Sequence, residues 1–344
     1  MKHRSIGAEL WNHKVTTVLA VAILGSFYNA NAATINKTMC VGAGSKVMND
    51  GVSVPIWGYY AAPCVMTPTV SLPSPTVEIG IGDTLNLTLN VNMMTPQEDA
   101  PHNGHTIHLH GADVQTSEDG VPETSRAVTT GVNGTDTYTW TPTAEMAGSY
   151  MYHCHVHTVK HLEMGMYGPL IVRPKNATTG AMLDQLTPDA ATAYNFIQTY
   201  LFSAVDPAYH AATAVGDSPV FADYNPKYFL INGSQGLSTT TPATTLVAGV
   251  NSKVALRLIG LHSVSGTFSI HDATGNAVEF TVHLQDGRAW PAPENMTSLD
   301  IAPGQRFDIL FTTPGATGAV YPQFTYKKLR DGAAYATAYG KVTF

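Results

Sequence analysis

Short runs in which apolar and polar residues alternate, each closed by Gly, Pro or Asn, recur along this chain, and long helical periodicity is scarce. That pattern commits the backbone to pleated strands with one face in a core. Residues 77–89 alternate around a Gly82-Asp83 turn. Residues 106–110, 135–140, 148–152 and 167–172 follow at the spacing of a β-sandwich. A second series starts at residues 227–233 and continues through 254–259, 266–270, 278–284 and 306–311. The stretch 175–225 is mixed in character and reads as a segment wrapping one unit onto the next. With 344 residues, only 12% charged, and 30 Gly and 21 Pro for turns, there is enough chain for two such units, each with its own core. The expectation is an all-β chain of two tandem Greek-key sandwiches: 33–174, a linker at 175–195, and 196–344.

Residues 1–32 read as an export signal. Lys2, Arg4 and Lys14 give a basic start, residues 15–27 an apolar run too short to span a bilayer comfortably, and Ala30-Asn31-Ala32 a small-x-small cleavage site. The expected location is the periplasm or the cell exterior, with no membrane contact after the signal is removed. The net charge of −7 comes without a basic patch, which excludes nucleic acid as a partner. In an oxidising compartment Cys40 and Cys64 are free to pair and close a loop near the mature N-terminus. Cys154 is then the odd thiol and calls for an explanation.

Its surroundings supply one. Residues 151–166 read Met-Tyr-His-Cys-His-Val-His-Thr-Val-Lys-His-Leu-Glu-Met-Gly-Met. One Cys, two His and a weak Met form the ligand set of a blue-copper electron-transfer site, and Cys154, His161 and Met166 supply three of the four. A second segment reads His105-Thr106-Ile107-His108-Leu109-His110-Gly111. Side chains two apart on a strand share a face. His108 and His110 therefore point together, as do His153 and His155, while Cys154 faces the other way. Two such strands side by side gather His105, Cys154, His161 and Met166 on one side and His108, His110, His153 and His155 on the other. His157 is an additional histidine of the motif, and Met164 competes with Met166. His3, His13, His102, His210 and His262 read as surface or hydrogen-bonded residues.

These segments resemble those of the multicopper oxidases, which carry His-Pro-x-His-x-His-Gly and His-Cys-His-x-x-x-His-x-x-x-Gly-Met/Leu. The first matches residues 105–111 with Thr106 in place of Pro; the second matches 153–166 with two extra residues between His155 and His161. Asp119-Gly120, Tyr150-Met151-Tyr152, residues 168–172, 228–233 and 301–308 extend the resemblance over nearly all of the mature chain. It implies two cupredoxin-like domains with the type-1 copper in the first. By resemblance, His105, Cys154, His161 and Met166 are the type-1 ligands, His108 a type-2 ligand, and His110, His153 and His155 type-3 ligands. The implied activity is one-electron oxidation of a phenol or metal ion at the type-1 copper. The electron then passes through Cys154 to the second copper site and to O2, in a homo-oligomer, by resemblance a trimer.

One departure bears on this. The family's trinuclear cluster takes eight histidines as four His-x-His pairs, and this chain supplies two pairs. The second half holds only His210, His262, His271 and His283, with no His-x-His. A non-enzymatic blue-copper carrier or copper-handling protein is therefore an alternative. An enzyme resembling copper nitrite reductase is another, although His108 stands where that enzyme has an Asp, and no histidine lies near Phe324-Thr325-Tyr326.

Overall fold

The computed structural model describes residues 31–91, 104–129, 134–217, 219–220, 224–261 and 265–344. Nearly all of the expected export signal, together with His3, His13, His102 and His262, lies outside these residues.

The first half is a sandwich of two four-stranded sheets. One runs Ser53–Ala61, Thr34–Val47, Thr84–Asn90, Thr135–Trp140; the other runs Val77–Gly80, Tyr167–Arg173, Gly148–His153, His108–His110. Strict alternation in Thr84–Asn90 sends Leu85, Leu87 and Leu89 into the core while Thr84, Asn86, Thr88 and Asn90 face outward. The Gly82-Asp83 turn is a corner between the two sheets, not a hairpin. Val77–Gly80 pairs with Tyr167–Arg173, whereas Thr84–Asn90 pairs with Thr34–Val47. Asp83 pins that corner, because its buried carboxylate accepts from Lys175 Nζ and from the Ala33 N–H. Cys40 and Cys64 form a disulfide, leaving Cys154 as the free cysteine.

The second half packs a seven-stranded sheet against a six-stranded one. Its strands begin earlier than the sequence pattern indicates, at Phe196–Val205, which pairs with both Tyr228–Ile231 and Lys253–Gly260. Tyr200 to Val205 are buried on both faces. A strand covered on two sides shows no alternation, so nothing in the residue pattern marks it. Val254, Leu256 and Leu258 face Phe307, Ile309 and Phe311 within this half's core.

A third apolar cluster joins the halves: Met151, Leu162, Tyr167 and Ile171 pack with Leu201, Val205, Leu230 and Ile259. Leu162 belongs to a short helix, α1 (Thr158–Met164), which touches α2 (Pro207–Ala214) from the second half. The alternation of the flanking strands gives no sign of α1. It starts within the lengthened stretch between His155 and His161, carries His161 itself, and ends at Gly165, whose φ of +114° places it in a conformation that glycine tolerates best.

Candidate metal centre

Three strands and α1 bring the ligating residues together. Gly148–His153 pairs antiparallel with His108–His110, setting His108 opposite His153. The segment expected to run straight from 106 to 110 is broken. Gly104–His105 pairs with Val128–Thr129, and the ladder resumes only at His108. That break turns His105 away from His108 and toward Cys154. Cys154 lies just past the strand end, and α1 swings His161 back over it.

The result is two groups of ligand atoms, each within 4.8 Å: His105, Cys154 and His161, and His108, His110 and His153. In the first, Cys154 Sγ lies 2.9 Å from His161 Nδ1 and 3.9 Å from His105 Nδ1. Trigonal bonds of about 2.0–2.3 Å to one ion hold donor atoms roughly 3.5–4 Å apart, so the His105–Cys154 spacing already suits a shared ion and the His161–Cys154 spacing is shorter. All three side chains are fully buried. Met166 is fully buried as well, and the main chain ties it to both neighbours: the Cys154 N–H donates to Met166 O, and the Met166 N–H to His161 O. Trp57 meets His161 edge-on, with ring centroids 5.7 Å apart. The donor set of one thiolate, two imidazoles and a thioether fits a first-row ion with an affinity for sulfur.

In the second group His108 Nδ1 donates to the Asp119 carbonyl, and His153 Nδ1 donates to Cys154 O at 2.9 Å. A carbonyl only accepts, so each ring keeps the lone pair of Nε2 for a ligand, the outer-shell arrangement that fixes a metal-binding tautomer. Gly120 makes the first contact feasible. Its φ is +73°, and a Cβ there would stand 2.1 Å from Ile107 O. His110 Nδ1 lies 3.2 Å from His153 Nε2. His155 flanks the group, 5.1 Å from His108 and 5.9 Å from His153 between ring centroids, without joining the tight triad.

No described second-half histidine enters either group. His271 is engaged at both nitrogens, by Ser269 and Gly275. His283 is half-buried beside Glu279 and Lys253. His210 lies 3.3 Å from the buried Glu163. What the second half brings to His110 is Arg306, whose side chain packs on Gly111. His157 is the N-cap of α1, its ring 6.0 Å from that of His161. The contributions of Trp57, Asp119 and Arg306, and of Tyr59, whose hydroxyl donates to the Thr106 carbonyl, were not evident in the sequence. Only the period-2 spacing of Trp57 and Tyr59 hints that both face the same core.

Burial holds these imidazoles neutral. It lowers His161 to about 3, with His157 and Lys160 adding to the effect. It lowers His110 to about 3, helped by Arg306, His108 and His155. His153 is pushed well below the usual histidine range by burial and by the neighbouring histidines. Burial also raises the Cys154 thiol to about 11, so a metal ion there takes the place of a proton. Between about pH 3 and 6.5 folded His110 and His161 are neutral while their unfolded counterparts are protonated. The unfolded chain binds more protons in that window, so stability falls as pH drops through it. Protein stripped of metal is expected to lose roughly 1 kcal/mol per pH unit from His161 alone. Urea midpoints at pH 7 and pH 4.5 check this; equal midpoints contradict it.

Residues 61–177 and 204–339 each match a multicopper oxidase family, together well over half of the chain. This chain belongs to the multicopper oxidases. Copper, as type-1 and type-2/type-3 sites, is that family's cofactor. Among curated proteins, the multicopper oxidase VdtB of Byssochlamys spectabilis is 32% identical over 123 residues, a match taking in 35% of this chain but 16% of that relative's length. Among solved structures, the blue copper oxidase from Nitrosomonas europaea superposes with a TM-score of 0.67 at 21% identity, over 90% of this chain and 85% of that one. The multicopper oxidase from Campylobacter jejuni, a metallo-oxidase, does so with a TM-score of 0.63 at 16% identity, over 90% and 57%. At these identities the structural likeness speaks for the fold, here two cupredoxin-like sandwiches. Among the described residues no helix is long and apolar enough to cross a membrane.

Proposed function

We propose that this multicopper oxidase is an exported enzyme that takes single electrons from a phenol or a metal ion. In this reading His105, Cys154, His161 and Met166 hold a type-1 copper in the 33–174 domain. His108, His110, His153 and His155 hold copper of the type-2/type-3 kind, where O2 is the acceptor. Bound copper supplies one-electron redox chemistry and Lewis acidity. The chain supplies the geometry. The observation that carries the reading is that Cys154, held against His105 and His161, is joined by one peptide bond to His153 of the other group. A short covalent path therefore links the two ligand sets. The buried, neutral imidazoles of His110, His153 and His161 bind without first losing a proton, and the β framework holds them in place.

The second half adds no histidine to the second group among the described residues, which favours completion of that site by another copy of the chain. We take the assembly to be a homo-oligomer, with a trimer as the expected form. The same observation supports a second reading, a blue-copper carrier that loads only the Cys154 site. Replacing His108 separates the two. On the oxidase reading, His108→Ala keeps the copper–thiolate colour but loses copper per chain and abolishes O2 consumption. Unchanged copper content and unchanged O2 uptake would refute it; wild-type protein with one copper and no O2 uptake would establish the carrier.

A further inference from the structure

Thr106 stands where the family pattern carries proline, and it uses all three of its polar groups at the metal centre. It is fully buried. Its N–H donates to Cys154 Sγ across 3.4 Å. Its hydroxyl oxygen accepts from the His155 N–H at 2.8 Å. Its carbonyl accepts from the Tyr59 hydroxyl. A proline at this position offers neither the N–H nor the hydroxyl. One residue therefore touches the sulfur of the first ligand group and the main chain of a histidine beside the second.

We infer that Thr106 is a positioning residue that raises the reduction potential of copper held by Cys154, by donating its N–H to the thiolate sulfur. The inference rests on the copper assignment made above. Its physical basis is electrostatic. A thiolate stabilises the doubly charged ion more than the singly charged one. A hydrogen bond to the sulfur withdraws part of the negative charge that does so. The oxidised form loses more than the reduced form, and the equilibrium Cu(II) + e⁻ ⇌ Cu(I) moves toward the right. The hydroxyl plays a second part: it satisfies the His155 N–H and holds the turn after Cys154, and its own contact with the sulfur is weaker than that of the N–H. A chain with this threonine is thus set to draw electrons from weaker reductants than the same chain with proline.

The test is a spectroelectrochemical titration of copper-loaded full-length protein with three variants. Thr106→Pro is expected to lower the Cu(II)/Cu(I) equilibrium constant by about tenfold, ~59 mV for one electron, and to shift the thiolate-to-copper absorption. Thr106→Val keeps the N–H and the shape but not the hydroxyl, and is expected to stay within about twofold of wild type. Thr106→Ser keeps both groups and is expected to match wild type. An unchanged potential in folded, coloured Thr106→Pro protein overturns the inference, and so does a Thr106→Val shift as large as that of Thr106→Pro. A second measurement needs no variant. Resonance Raman spectra of wild-type protein refolded in D2O are expected to show a displaced copper–sulfur stretching band, and an unmoved band overturns the inference even if Thr106→Pro does not fold. Wild-type protein that shows no thiolate absorption at all sinks the copper assignment instead, so the two failures are distinguishable.

Discussion

Cys154→Ser is expected to remove the intense visible colour of the copper-loaded protein and its oxidase activity together. The variant changes one atom. Serine at this buried position retains its proton at neutral pH and is a poor match for copper, whereas the thiol yields its proton to the ion. The surroundings remain, since the Thr106 N–H can donate to oxygen and Leu109, Tyr152 and Met164 still pack around the site. Activity should therefore fall by more than the ~10–100-fold that loss of an outer-shell partner costs, while the fold and the His108 group stay intact. Absorption spectra, circular dichroism and O2 uptake on the same preparation check all three. A variant that keeps either the colour or the turnover contradicts the assignment of Cys154.

The largest stability effect is expected far from any copper ligand, at Asp308. Its carboxylate lies 3.1 Å from Arg257 Nη1, and both side chains are 1% exposed. The two residues face each other on neighbouring strands of the second half. Ser149, on the strand that ends in His153, donates to Asp308 and accepts from Arg257 at 3.3 Å. The triad thus anchors the metal-bearing strand to the second sandwich. Asp308→Ala leaves a buried guanidinium without its counter-charge, at a cost of about 3–5 kcal/mol. Replacing both members, as Arg257→Met with Asp308→Leu, should recover most of that loss, because the desolvation penalty of both charges disappears with their attraction. Denaturant midpoints of the three proteins measure it. A single variant within 1 kcal/mol of wild type would mean that water or another group compensates Arg257.

Much of the candidate site was legible because it is written in local sequence. Period-2 spacing pairs His108 with His110 and sets His153 on the face opposite Cys154, and the structure gathers His108, His110 and His153 apart from Cys154; His105 joins Cys154 because the strand breaks before His108, and His155 stays outside the triad. In the metal-bearing half Thr84–Asn90 is covered on one side and alternates, so it was readable, whereas Thr34–Val47 and Ser53–Ala61 beside it show no such alternation and were not read as strands. What escaped depends on contacts between distant segments or on main-chain groups. Tyr200 to Val205 of the strand Phe196–Val205 are buried on both faces and show no period. The helix α1 is seven residues long and splits its apolar residues, Leu162 packing against the second half, Met164 in the first core and Val159 exposed, so neither strand nor helix periodicity marks it. The Asp119 carbonyl that orients His108 belongs to no side-chain pattern. Arg257, Asp308 and Ser149 come from three strands that only the tertiary fold brings together. The turn at Gly82-Asp83 was readable, but not that its two arms enter different sheets, because the lysine that pins the corner lies 92 residues away.

The account stands on one sulfur and two imidazoles closing around a copper ion, and X-ray absorption at the copper edge of the fully loaded protein tests that directly. One sulfur neighbour at bonding distance, together with imidazole nitrogens, is the predicted result, and that sulfur must vanish in Cys154→Ser. A shell of nitrogen and oxygen alone in the wild-type protein, with Cys154 still open to alkylation after unfolding in the presence of copper, would contradict it.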